Sequence, residues 1–153
     1  MKGLTINRLP IRTASLAAVL LASVLGIADD KNDKSTKVTA TVTLPKELAS
    51  FTGRTLELRL YEYDPLLADV SADLVEKIAK AKFSHSKGKP TELKIEIGAN
   101  QQIKPRRNYY LTTFILDGPK RTHIGEKDGK RGLCKVITDG HPRKVKIIIR
   151  AVQ

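Results

Sequence analysis

The chain has 153 residues, 41% hydrophobic and 29% charged, with a formal net charge of +12. This length fits one domain rather than two. Cys134 is the single cysteine, so an internal disulfide is excluded.

The N-terminal 28 residues have the pattern of a secretory signal peptide. A basic start precedes an apolar run over residues 13–27, and Gly26 and Ala28 place small side chains at −3 and −1 of a cleavage point. A membrane span needs about 20 apolar residues, more than this run supplies. We therefore expect export to the periplasm or beyond, with no transmembrane span left after cleavage.

Cleavage after Ala28 would leave one domain at residues 37–153, preceded by a polar, flexible linker at 29–36. The first 28 residues hold three of the 28 Lys and Arg and none of the 16 Asp and Glu, which leaves +9. Such a charge favours acidic partners, and export argues against nucleic acid as one of them. The predicted cleavage site also lacks the cysteine of a lipoprotein anchor.

Short strands are predicted along most of this domain. Apolar and polar residues alternate strictly in four segments, 37–44, 54–63, 91–97 and 143–151, as half-buried strands require. Residues 108–116 are apolar on both faces, and 120–124 and 133–138 add two further strands. Turn signals rich in Gly, Pro and Asp separate these segments.

Residues 66–85 are ambiguous between helix and strand. Apolar residues recur there at helical spacing, from Leu67 and Val70 to Leu74 and Ile78, whereas the tail at 79–84 fits an extended strand. We expect a loop with one short helical turn, followed by a strand that ends near His85.

A tyrosine corner is predicted at the start of the strand at 108–116. Ile103, Pro105 and Tyr109 stand at offsets 0, +2 and +6. In such a corner the tyrosine hydroxyl bonds back to the preceding loop and pins a crossover between two sheets. The fold class predicted from these features is all-β: an antiparallel, immunoglobulin- or transthyretin-like sandwich of about seven to eight strands with at most one short helix.

The order of these features resembles the YbaY-like family, which includes the YscW-type pilotins of type III secretion. The resemblance covers residues 37–150 and rests mainly on LELRLYEYDPLLADVSADLVEKIAK and on the IKPRRNYYL corner. It implies a small envelope β-sandwich protein that helps to assemble or stabilise outer-membrane components. It implies no catalytic residue, and this chain departs from many members by lacking the anchor cysteine.

Searches for catalytic and metal-binding motifs give no site. His85, His123 and His141 have no ligand spacing relative to one another or to Cys134, so we interpret them as loop residues. Asp64, Asp69 and Asp73 match neither an EF-hand nor a fixed carboxylate pair. We therefore expect no enzyme, no cofactor and no metal.

Basic residues around a glycine-rich loop at 125–132 are the candidate binding site. Backbone N–H groups and cations in such a loop can hold an anion, although no helix follows to make it a P-loop. The residues predicted to contact an acidic partner are Lys120, Arg121, Lys127, Lys130 and Arg131.

Two functions remain open at this stage. The first is an exported, non-enzymatic envelope accessory or binding module, possibly chaperone-like toward another envelope protein. The alternative is a domain that binds carbohydrate or an anionic surface polymer, for which Tyr61, Tyr63, Tyr109 and Tyr110 could stack on sugars, although the chain has no tryptophan.

Overall fold

Eight β-strands make up the fold in the computed structural model, which describes residues 33–67 and 69–152. The predicted signal peptide lies outside the described residues. In chain order the strands are β1 (Val38–Leu44), β2 (Phe51–Tyr63), β3 (Asp73–His85), β4 (Thr91–Ile97), β5 (Asn108–Asp117), β6 (Lys120–Lys127), β7 (Cys134–Val136) and β8 (Lys144–Ala151). The prediction of an all-β domain with about eight strands is confirmed.

The strands join into one continuous sheet in the order β3-β2-β5-β6-β8-β1-β4, and β7 pairs with the first part of β5. All pairs are antiparallel except β1 and β8, which run parallel. A sandwich of two separate antiparallel sheets is therefore not confirmed. The sheet instead curls into a nearly closed barrel, in which β3 and β4 are the two edges.

Side chains bridge the remaining gap between the two edge strands. The Glu76 carboxylate on β3 accepts a hydrogen bond of 2.7 Å from the Gly98 N–H just after β4. Toward the other end, His85 Nδ1 lies 3.1 Å from the Thr91 hydroxyl. These contacts hold the edges near each other without a β-ladder between them.

The core follows the period-two pattern of the sequence. Leu56, Leu58 and Leu60 of β2 are buried, and alternate residues of β1, β5 and β8 meet them inside the barrel. A glycine is required where β6 crosses this core, because a Cβ on Gly125 would lie 2.5 Å from Ile147 Cγ2 and 2.8 Å from Thr113 Cβ. Burial of this alternating apolar face is the main favourable contribution to folding.

β3 differs from its prediction. The described residues between 66 and 85 contain no helical turn. The strand ends at His85, as predicted, but it begins at Asp73 and is 13 residues long. Its pairing with β2 is interrupted by three register shifts, and Lys82 has a positive φ of 53°. Each bulge moves the inward face by one residue, so the apolar positions of a bulged strand lose the period of two and can imitate helical spacing.

Residues 33–36, which the sequence assigns to the flexible linker, are held against the domain. Thr36 is buried, and its backbone N–H donates to the Gln101 carbonyl at 2.8 Å. The Arg143 guanidinium donates to the carbonyls of Asp33, Ser35 and Lys37. Polar residues without a pattern can still be ordered when backbone and side-chain groups elsewhere in the fold form hydrogen bonds with their backbone.

Two predicted boundaries also shift. The glycine-rich loop predicted at 125–132 is shorter, because β6 continues to Lys127 and places Gly125 within the strand. The strand predicted at 133–138 contains only three residues, Cys134–Val136. The described part of the chain contains no helix of the length and hydrophobicity needed to cross a bilayer.

Candidate protein-docking surface

Three tyrosines form a stack on the outer face of the sheet. Tyr61 of β2 is the register partner of Tyr110 of β5, and their rings lie 5.2 Å apart at an interplanar angle of 12°. The ring of Tyr63 meets Tyr110 edge-on at 5.8 Å. Burial, followed by the other two phenols, raises the pKa of Tyr110.

Exposed leucines border this stack on the side of the β2–β3 loop. Asp64 begins the loop, and its carboxylate accepts the Leu66 N–H at 2.9 Å. Further turn bonds join Leu67 N–H to the Asp64 carbonyl and Val70 N–H to the Leu67 carbonyl. These turns leave Leu66 84%, Leu67 52% and Val70 61% exposed to solvent.

Leu133 borders the stack on the opposite side, just before β7, and is 58% exposed. A groove of about 420 Å³ runs between the two borders and is lined by Tyr63, Leu67, Val70, Tyr110 and Leu133, among others. Leu74, the register partner of Tyr61, extends the apolar area along β3. We call this set the leucine–tyrosine surface: Tyr61, Tyr63, Leu66, Leu67, Val70, Leu74, Tyr110 and Leu133.

Such a surface is unusual on a small domain. Single exposed leucines are common, whereas a contiguous apolar patch is typical of a binding interface. Five of the six large hydrophobic residues that are exposed in the described part of the chain belong to this one surface, and Val152 is the sixth. Their concentration beside three tyrosines points to a macromolecular contact rather than to chance exposure.

Opposite charges flank the leucine–tyrosine surface. The β2–β3 loop carries two carboxylates, and the chain at and just before β7 carries three cations. Tyr110 pairs in register with Lys135 of β7, which places that cation three strand spacings from β3, about 14 Å. The acidic border is Asp64 and Asp69, and the basic border is Lys130, Arg131 and Lys135. Asp73 is the register partner of the buried Glu62 and lines a separate groove beside Lys104.

The basic residues singled out from the sequence do not form one cluster. Lys120 and Lys127 stand at opposite ends of β6, about 23 Å apart at the rise of a strand. Lys127, Lys130 and Arg131 lie at the end of the barrel that carries Leu133. The structure thus brings three of the five to the end of the barrel that carries Leu133 and places the other two at the opposite end.

Arg121 has a distinct environment at that opposite end. Its guanidinium carbon lies 3.7 Å from the centroid of the Phe114 ring, while that of Arg59 lies 5.5 Å from the same centroid. Arg59 is also paired with the buried carboxylate of Glu57. This cation–π arrangement supports Phe114 on the outer face and leaves Arg121 exposed.

The corner residues surround a buried phenol. Tyr109 Oη accepts the Lys104 N–H at 2.9 Å and lies 3.4 Å from the Glu62 carboxylate. Glu62 in turn accepts a hydrogen bond of 2.5 Å from Lys104 Nζ. Ile103 packs against the core beside this network and Pro105 is exposed, so the loop before β5 is fastened to the strand within one sheet.

Tyr109 is only 1% exposed, and its ring therefore has no free face for a sugar. The carbohydrate hypothesis included this ring. The three tyrosines that remain pack on one another.

Two of the histidines interpreted as loop residues are buried on strands, which corrects that interpretation. His85 and His123 flank Phe51, with ring centroids 5.8 and 5.3 Å from it. Burial, followed by the nearby charge of Arg54, lowers the pKa of His123. Cys134 is buried too, and burial raises the pKa of its thiol to about 11, which makes it a poor nucleophile. Among residues 33–67 and 69–152, no three His, Cys, Asp or Glu are placed to hold a metal ion.

The leucine–tyrosine surface was not predicted from the sequence. The sequence predicts a loop with one short helical turn there, and the helical spacing of Leu67, Val70 and Leu74 does not show that these side chains are exposed. The available signal was Asp64-Pro65 directly before Leu66 and Leu67, since a proline turn places the following residues in a loop.

The chain is similar to known proteins in its fold and not in its sequence. No family model matches the chain, and no curated protein matches it, so membership of the YbaY-like and YscW-type family is not confirmed. Among solved structures, an alternative pilotin from the type II secretion system of Vibrio cholerae matches with a TM-score of 0.55 at 19% sequence identity. The match covers 78% of this chain and 99% of that one. The chain therefore has a pilotin-like fold.

Proposed function

We propose that this chain is an exported, non-enzymatic accessory module that binds another envelope protein, in a chaperone-like manner, through the leucine–tyrosine surface. The observation that carries the proposal is the gathering of exposed Leu67, Val70 and Leu133 around a groove. The pilotin-like fold supports an accessory role in the cell envelope, and the signal-peptide pattern supports a periplasmic location.

The chemistry of the surface supports a protein as the ligand. Tyrosines are enriched at protein–protein interfaces, because a rigid ring supplies contact area at low entropic cost and a hydroxyl for hydrogen bonding. The groove is open, so it suits a segment of a larger partner better than an enclosed small molecule.

The test is capture of the partner from the cell envelope. The exported protein is crosslinked in the periplasmic fraction of its own organism, and the captured proteins are identified by mass spectrometry. We expect one discrete envelope protein with the unchanged chain and its loss when Leu67 and Leu133 are both changed to Ser.

The matched control is Val152→Ser, because Val152 is also an exposed apolar residue but follows β8 at the other end of the barrel. Its capture should equal that of the unchanged chain. Capture of nothing under crosslinking, or equal capture by the Leu67/Leu133 double variant, would refute the proposed docking surface.

A further inference from the structure

The two borders of the leucine–tyrosine surface make it complementary to itself. Asp64 and Asp69 lie on the β2–β3 side and three cations on the β7 side, with the apolar groove between them. In a two-fold symmetric contact, the same surface of each copy faces the other in reversed direction. The aspartates of one copy would then face the cations of its partner at both ends of the contact.

We infer that, when no partner is bound, a second copy of this chain covers the leucine–tyrosine surface. Asp69 of one copy faces Arg131 of the other, and the exposed leucines of both copies are buried at the centre. The inference rests on the proposed function. The second copy shields the surface of the free protein from solvent, and the envelope partner displaces that copy when it binds.

The charges argue for this occupant over an anionic membrane. Asp64 and Asp69 stand within a few residues of the loop leucines that would have to enter a bilayer, and an anionic headgroup layer repels these carboxylates. A second copy instead offers a cation to each acidic border. Opposite charges at the rim of an interface orient the partners and suppress other alignments.

The contact is expected to be exchangeable. A shielding contact has to be weaker than the contact with the envelope partner, and a dissociation constant of roughly 1–100 µM would meet that need. Sedimentation velocity of the purified exported protein over this concentration range should show a monomer–dimer equilibrium. Circular dichroism of each variant confirms that it is folded.

Charge exchange tests the orientation. Asp69→Arg alone and Arg131→Asp alone each set like charges against each other twice per dimer, so each should raise the dissociation constant at least about tenfold. The double variant re-forms both pairs with reversed polarity and should return to within about threefold of the unchanged protein. Val152→Asp, at the other end of the barrel, should leave the constant unchanged.

The outcomes separate this inference from the proposed function. A monomer at every concentration, or a dimer that none of the charge or leucine changes affects, overturns the inference. So does a monomer that sediments with phosphatidylglycerol vesicles through its leucines, because a membrane would then be the occupant. Partner capture is measured separately, so it can succeed where self-association fails. When both occur, excess unlabelled protein should lower capture in competition.

Discussion

The two ends of the barrel differ in whether their apolar side chains are buried or exposed. At the end where β2 begins, Phe51, Phe83, His85 and His123 pack together and are almost completely buried. At the end where β2 finishes, Leu66, Leu67 and Val70 face solvent beside the tyrosine stack. The first end therefore contributes stability, and the second keeps apolar area available for binding.

The largest effect that would test this contrast is expected from Phe51→Ala at the buried end. Removing this ring leaves a cavity between Phe83, His85 and His123, and such truncations cost about 3–5 kcal/mol in free energy of unfolding. Urea denaturation measures this loss. A cost below about 1 kcal/mol would show that the cluster is not part of the stable core.

A smaller loss of stability is expected from Tyr109→Phe, which tests the hydrogen-bond network of Tyr109, Lys104 and Glu62. The Lys104 N–H loses its acceptor while the ring stays buried, so the free energy of unfolding should fall by about 1 kcal/mol. Tyr110→Phe is the matched control, because its ring remains in the outer stack. Equal stability of the two variants in urea denaturation would contradict a structural role for the corner hydroxyl.

The buried end should also make stability depend on pH. His123 has a lowered pKa in the folded state, so the unfolded chain binds this proton more readily. The resulting loss in free energy of unfolding is absent well above pH 6.5. It grows as the pH falls from 6.5 through the lower pKa of the folded state, with a slope below about 1.4 kcal/mol per pH unit. In unfolding measurements from pH 8 to 5, His123→Gln should show a shallower decline. An identical decline would assign the dependence to other groups.

The smallest effect on stability is expected at the exposed end. Leu66→Ser removes a side chain that is 84% exposed, so the free energy of unfolding should change by less than about 0.5 kcal/mol. The same change should reduce partner capture in the crosslinking assay. A stability loss above about 1 kcal/mol would mean that the loop packs on the domain and is not held ready for binding.

Neutralising the basic residues at each end of the barrel in turn tests which end binds an acidic partner. Exchanging Lys127, Lys130 and Arg131 for Gln removes cations at the end that carries Leu133, whereas exchanging Lys120 and Arg121 removes cations about 20–23 Å from Lys127 along β6. We expect only the first exchange to weaken partner capture. If the two exchanges weaken binding to an anionic polymer equally, the polymer uses the general positive charge and not the groove.

The strands with strict alternation could be predicted because local and tertiary preferences agree there. Val38, Ala40, Val42 and Leu44 all face inward in β1, as their spacing indicates. β3 could not be predicted in the same way, since its bulges depend on how β2 and β3 pair. The exposed leucines were missed for a related reason: spacing reveals which residues share a face, whereas only the packed fold shows whether anything covers that face.

The amino-acid sequence by itself determined the strands that alternate strictly, the turns that end them, and the positions of the corner residues Ile103, Pro105 and Tyr109. These features follow from side-chain alternation and from the fixed φ of proline, which act over a few residues. Only the tertiary structure decided that one sheet curls into a nearly closed barrel and that distant loops meet around Tyr110. Those outcomes depend on strand order and register, which contacts between residues far apart in the chain select.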